Sequence, residues 1–182
     1  MKNGFFDLAE AAIKFKAFEK NLEFAGEAVL TGWAAVVKDR ARQSIGTYRY
    51  KWPQLAEATQ AERAREGFPP NKPLLRTGDL RDSISAFVQM YGPEHGRAVV
   101  GSTSDIAVYQ ELGTRSIPPR SFLYASAVLA TQKDLPKIAR KVVRTAWLSA
   151  GRDNEMLHLL HAIKLLLEIT KEVWDHTIGK DL

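Results

Sequence analysis

His158 and His161 stand three residues apart with Glu155 just before them, the nearest thing in this chain to a set of metal ligands. At that spacing the two imidazoles share one face of a helix. A helical metal cage needs a second carboxylate–histidine pair, and the sequence supplies none. The expectation is therefore two surface histidines and no metal. There is no cysteine, which excludes disulfide and thiolate chemistry. No phosphate-cradling or dinucleotide glycine pattern occurs, and no Gly-x-Ser-x-Gly elbow. With four scattered histidines and no thiol, nucleophilic catalysis lacks its usual parts. The chain reads as a non-enzyme without a cofactor.

Phosphate binding is the next chemistry to weigh. Lys133, Lys137, Arg140, Lys141 and Arg144 form a basic stripe at helical spacing, with Trp147 behind it and a Tyr48, Tyr50 and Trp52 patch elsewhere. Cations at this density bind nucleic-acid phosphates non-specifically and in a salt-dependent way. No helix-turn-helix or sheet-type nucleic-acid signature accompanies them. The net charge of +5 is unevenly distributed. Residues 38–81 carry +5 and 115–152 carry +7, whereas 1–37 carry −1 and 82–114 and 153–182 carry −3 each. Such blocks either complement neighbouring subunits or are simply solvated helix faces.

Two short segments hold the most specific chemistry. The first is Leu74-Leu75-Arg76-Thr77-Gly78-Asp79-Leu80-Arg81-Asp82-Ser83-Ile84. Gly78 admits a backbone angle other residues resist, and Thr77 and Asp79 can bond local backbone groups and start a turn. Leu75, Leu80 and Ile84 are the expected anchors, leaving Arg76 and Arg81 for a partner or for solvent. The second is Tyr109-Gln110-Glu111-Leu112-Gly113-Thr114, followed by Arg115 and by Pro118-Pro119-Arg120-Ser121-Phe122-Leu123. Gly113 ends a helix on which Tyr109 and Leu112 can bury. Glu111, at that helix's C-terminal end, sits badly in its dipole and needs a cationic or backbone partner. Arg76, Arg81, Arg115 and Arg120 are the candidate cations. The stiff Pro118–Phe122 stretch suits pairing either with a neighbour's sheet edge or with an edge of its own sheet.

The two segments, in this order and at this distance, resemble the small head–tail joining, or tail-completion, proteins of long-tailed bacteriophages and prophages. The resemblance rests on Leu74, Thr77, Gly78, Leu80, Ser83 and Ile84, then on Tyr109, Glu111, Gly113, Thr114, Pro118, Arg120, Phe122 and Leu123, and it spans roughly residues 45–130. It implies a structural subunit that assembles with copies of itself as a ring at the neck of the virion, made in the host cytoplasm. Its partners would be the head connector and the tail tube or its terminator, with incidental contact to passing DNA. A tail terminator or head-closure protein, in adjacent layers of the neck, is the alternative. A basic DNA-binding accessory protein is the alternative of another class.

The elements follow from periodicity. Residues 7–42 read as one long helix, with Gly26 and Gly32 marking a bend or close packing, ending near Ile45-Gly46. A short helix is expected at 53–66, then a Pro/Gly-rich break. Ser83–Met90 and Arg97–Ser102 read as a hairpin, with a third strand at 115–120. Helices are expected at 105–112 and 121–133, and from an Asp134 cap to Gly151. Tyr48–Pro73 and Gly113–Pro119 are expected to be mobile. The fold class is α+β: a small antiparallel sheet packed on the long N-terminal helix and the helix after residue 121, with an added C-terminal helix.

The 182 residues, 45% hydrophobic and 26% charged, suffice for one core and an appendage. The division expected is a 1–151 domain and a 152–182 helical extension. No apolar run is long enough to span a bilayer, and Met1–Lys20 does not read as a signal peptide. The extension carries a broad apolar face that includes Leu159, Ile163, Leu166 and Trp174. A helix that apolar is normally buried. The favoured expectation is docking on a neighbouring subunit, with packing on its own domain as the competitor. With Arg76, Arg81, Glu111, Arg115, Pro118, Pro119, Arg120 and Phe122, these four complete the candidate interface.

Overall fold

In the computed structural model, residues 8–93 and 95–151 are described. The fold is α+β, mostly helical with one small antiparallel sheet. The helices α1 (Leu8–Leu22), α2 (Ala25–Ser44), α3 (Glu57–Arg65) and α4 (Asp79–Asp82) precede β1 (Ile84–Met90) and β2 (Gly96–Ser102). Then come α5 (Ile106–Leu112) and α6 (Leu123–Leu129), a π-helical turn at Ala130–Asp134, and α7 (135–151). The described residues divide into two compact units, residues 26–142 and residues 8–25 with 143–151. The boundary drawn from the sequence at 151/152 falls at the edge of the described residues, and His158, His161, Leu159, Ile163, Leu166 and Trp174 lie outside them.

In the larger unit α2 buries Ala34, Val37, Ala41 and Ser44, a 3-4-3 spacing that keeps one stripe facing inward. Gly32 stays within the helix and serves close packing, since a Cβ there would come within 2.9 Å of Ile138 Cγ2. The helix stops at Ser44, and Gly46 follows in the left-handed region (φ +81°) while its N–H bonds the Pro73 carbonyl at 2.7 Å. The hairpin pairs Ile84 with Ser102, Ala86 with Val100, Val88 with Ala98 and Met90 with Gly96. Those pairs form the inner face. Phe87 and Val99 pair on the other face and remain 54% and 37% exposed. The core gathers Ala41, Ile45, Trp52, Leu80, Ile84, Ala107 and Phe122, with Tyr48, Tyr50, Leu75 and Val100 packed around it. The two tyrosines there have their hydroxyls engaged: Tyr48 donates to Asn71 Oδ1, and the Tyr50 hydroxyl lies 2.8 Å from Ser126 Oγ.

In the smaller unit Trp147 is the organising residue. Phe15 and Phe18 meet it edge-on at 5.6 and 5.3 Å between ring centres, and Lys14 Nζ lies 4.4 Å from its centre. Asn21 donates to the Ala146 carbonyl at 3.1 Å.

Several expectations change. The long N-terminal helix is two helices, interrupted at Glu23-Phe24, beside the Gly26 that the sequence marked for a bend or close packing. The third strand at 115–120 is absent. Thr114 N–H bonds the Ile117 carbonyl and Arg120 N–H bonds the Gln110 carbonyl, so the segment folds back on α5, and Pro118 and Pro119 have no N–H to give a ladder. Asp134 does not cap a new helix. It lies in the π-helical turn that joins α6 to α7, and its Oδ2 accepts from Arg40 Nε at 2.8 Å. Pro136 accounts for the irregularity: it lacks an N–H, and a wider turn relieves its ring from the preceding carbonyl.

Candidate interface site

The two sequence segments meet. Leu74, Arg76, Thr77, Gly78, Asp79 and Leu80 from the first and Gln110, Ser116, Ile117, Pro118 and Arg120 from the second line one cavity of about 510 Å³. Residues of α3 and the loop before it, among them Leu55, Thr59 and Arg63, close the remaining side.

The first segment is shaped by Gly78. Its φ of +108° lets the chain enter α4 directly, and Asp82 and Ser83 N–H close the turn on the Gly78 and Asp79 carbonyls. Thr77 Oγ1 donates to Asp79 Oδ2 at 2.7 Å and accepts from Asp79 N–H at 3.4 Å, the second being the bond to local backbone expected of it. Leu80 and Ile84 are buried and Leu75 packs on the core. Arg76 is exposed, pairs with Glu66 and lies over the Phe68 ring at 4.7 Å. Arg81, also exposed, bonds Asp82 Oδ1 at 3.0 Å. That bond comes first among the causes that hold the Asp82 carboxyl below its ordinary value and raise the Arg81 guanidinium.

The second segment is shaped by Glu111. Its carboxylate accepts four hydrogen bonds: from Ser121 Oγ (2.6 Å) and Tyr124 N (2.8 Å) at Oε1, and from Phe122 N (2.8 Å) and Leu123 N (2.9 Å) at Oε2. Phe122, Leu123 and Tyr124 open α6, whose first N–H groups have no partner inside the helix. Glu111 therefore sits at the end of one helix in sequence and at the start of another in space, where a negative charge is favoured. The partner is backbone, not any of the four arginines proposed for it. Gly113 makes the geometry possible. At φ +77° and ψ 172° it adopts a conformation open in practice only to glycine, and a Cβ there would lie 2.9 Å from the Ile117 carbonyl oxygen and Pro119 N.

The loop segments expected to be mobile are tied down. Thr114 Oγ1 accepts from Ser116 and Ile117 N–H. Across the longer loop, Tyr48 donates to Asn71 Oδ1, Arg63 Nη1 donates to the Lys72 and Leu75 carbonyls, and Trp52 is buried.

Of the sequence-named residues, Arg115, Pro118 and Pro119 are exposed beside the cavity. Arg120 is 6% exposed, with Nη2 on the Pro53 carbonyl at 3.3 Å and Nε buried without a partner. Phe122 is wholly buried in the core. Tyr109 and Leu112, expected to bury, are 54% and 74% exposed and, with Ile106 and Val108, make α5 an apolar surface. Sequence reasoning missed this surface because five apolar residues in seven suggest a buried helix, whereas only Ala107 is buried. It also missed Arg63, whose guanidinium is held below its usual value by burial and then by Arg76 and Arg120. The signal was present as one of two arginines in a short polar helix, which carries no sign of what it faces.

The basic residues Lys133, Lys137, Arg140, Lys141 and Arg144 are exposed. Among the described residues no helix is long and apolar enough to cross a membrane, and no group of three His, Asp or Glu could hold a metal ion. Comparison with protein-family models, with curated proteins and with solved structures returns no match for this chain.

Proposed function

We propose that this chain is a structural subunit of the phage neck, a tail-completion-type protein that joins the tail to the head connector as one member of a ring. The observation that carries the reading is the cavity lined by both motif segments, which Ile106 of the exposed apolar α5 surface also lines. The Glu111 bonds and the Gly113 backbone hold the rim in one shape, and a preformed rim lowers the ordering cost of docking. Exposed apolar residues grouped on one element are the mark of a surface that meets another protein. The outer sheet face, with Phe87 and Val99, offers a second such surface for a neighbouring copy. The tail terminator or head-closure protein is the same reading one layer away. Virion location belongs to this proposal.

Expression of the chain together with its genomic neighbours, followed by electron microscopy, tests it. Rings docked on a portal or a tail tube support the reading, and a chain that joins none of these assemblies refutes it. The DNA-binding alternative has its own observation in the exposed lysines and arginines from Lys133 to Arg144. It requires affinity for duplex DNA that falls steeply with salt in the isolated protein.

A further inference from the structure

We propose that the cavity between the two motif segments receives a carboxylate side chain, flanked by apolar residues, from a neighbouring protein of the assembly. Three guanidinium groups approach it from three parts of the chain: Arg63 on α3, Arg76 before α4, and Arg120 before α6. Among the described residues neither Arg63 nor Arg120 has a carboxylate within ion-pair distance; Arg76 has Glu66. The acidic groups nearby are Glu66, Glu62, whose charge reaches Arg63, and Asp79, which accepts from Thr77 at the cavity wall. The excess of positive charge is thus built in. Burial and mutual repulsion of the arginines strain it further, since both disfavour the charged form of Arg63.

The polar bookkeeping points the same way. Arg120 is 94% buried, and its Nε lacks a hydrogen-bond partner. Gln110, whose carbonyl holds the Arg120 amide, has a buried Oε1 that also lacks one. Unpaired buried polar groups are uncommon and cost stability. An arriving carboxylate serves the Arg120 Nε–H donor directly; Gln110 Oε1 is itself an acceptor, so Gln110 joins in only by turning its NH₂ toward the carboxylate. The apolar part of the lining, including Leu55, Ile106 and Pro118, suits the methylene stem of an acidic side chain and its apolar neighbours. A phosphate of duplex DNA fits less well, because Leu55, Ile106, Ile117 and Pro118 make much of the lining apolar.

The test uses the full-length protein and two capped tripeptides, acetyl-Leu-Glu-Leu-amide and acetyl-Leu-Gln-Leu-amide, with inorganic phosphate as a third probe. Binding is read by calorimetry and by amide chemical shifts. The expected result is saturable millimolar binding of the Glu peptide, about tenfold weaker for the Gln peptide, as loss of a charge-assisted bond implies. The shifts should fall on Thr77–Leu80 and Gln110–Ile117. Arg76→Gln, at an exposed position, should weaken the Glu peptide several-fold, and Ile106→Trp, which adds bulk to the cavity lining without altering charge, should abolish binding. Equal binding of both peptides, shifts elsewhere, no binding, or indifference to both variants overturns the proposal. So does phosphate binding as tightly with the same shifts, which would make this a general anion site. The inference depends on the neck reading only for the source of the carboxylate. Peptide binding without any neck assembly keeps the site and loses that reading; assembly unimpaired in Ile106→Trp does the reverse.

Discussion

Replacing Glu111 by Gln tests the central device of the structure with a near-isosteric change. The carboxylate accepts four hydrogen bonds, three of them from the backbone N–H groups that open α6. A carboxamide keeps one acceptor oxygen. In its best orientation that oxygen replaces Oε2 and still serves Phe122 and Leu123. The NH₂ then faces Ser121, whose hydroxyl can turn to accept, and Tyr124 N–H, which must turn to water. One backbone bond is lost, and the two retained ones fall from charge-assisted to neutral strength, a change of roughly a factor of two each. The favourable interaction with the helix dipole, about 0.3–1 kcal/mol, disappears as well. Together these amount to about 2–3 kcal/mol. For a chain of this length that corresponds to a fall in Tm of about 5–10 °C. Denaturant unfolding followed by circular dichroism provides the free energy, and an additional Ser121→Ala substitution closes a double-mutant cycle. The two changes should be non-additive, because the hydroxyl and the carboxylate share one bond. A Glu111→Gln protein within about 0.5 kcal/mol of the parent, the range of ordinary surface substitutions, would refute the clamp.

Three further outcomes are expected. Gly113→Ala should cost more than Gly67→Ala in thermal unfolding: both have positive φ, but a Cβ at Gly67 meets nothing within 4 Å and should cost about 1 kcal/mol of strain alone, whereas at Gly113 it strikes backbone atoms. Asp134→Asn should lower stability by about 1 kcal/mol through its partly exposed contact with Arg40, and the difference should shrink in 1 M salt. Asp82 has a folded pKa below its unfolded one, so its contribution is fully present above the unfolded value, near 4, and is lost as pH falls through the folded value; Asp82→Asn should therefore flatten the acid limb of the stability profile slightly and leave its alkaline side unchanged.

What the sequence revealed were positions governed by local chemistry. Gly46, Gly78 and Gly113 all have positive φ, as their places at helix ends and in the Thr-Gly-Asp turn suggested. The hairpin came from alternation, and its inner residues Ile84, Ala86, Val88 and Met90 share a face as read. Glu111 was half legible: a carboxylate at a helix end demands a partner, but only the folded chain brings the start of α6 to it. Distance in sequence hid the rest. Asp134 lies 94 positions from Arg40, so its local pattern pointed to a helix cap instead of a tertiary bond. The interruption at Glu23-Phe24 falls just before Gly26, which the sequence marked, whereas the π-helical turn has no local mark except Pro136 behind it. Proline pairs limited residues 115–120 to extended backbone, yet extension alone does not provide a neighbouring strand.

The turn at Ala130–Asp134 also works as a gear tooth. A π turn holds one residue more than the regular coil around it, and each residue advances the helix by about 100°. Ser126 and Ala130 are buried before the tooth, and Ile138 meets Gly32 after it. In an unbroken coil Ile138 would stand about 120° round from Ser126; the extra residue taken up by the turn cuts that to about 20°. Register is written in chain length, not in side chains: removing any one residue of the turn would restore a seamless coil and leave the positions behind it on the faces they hold now.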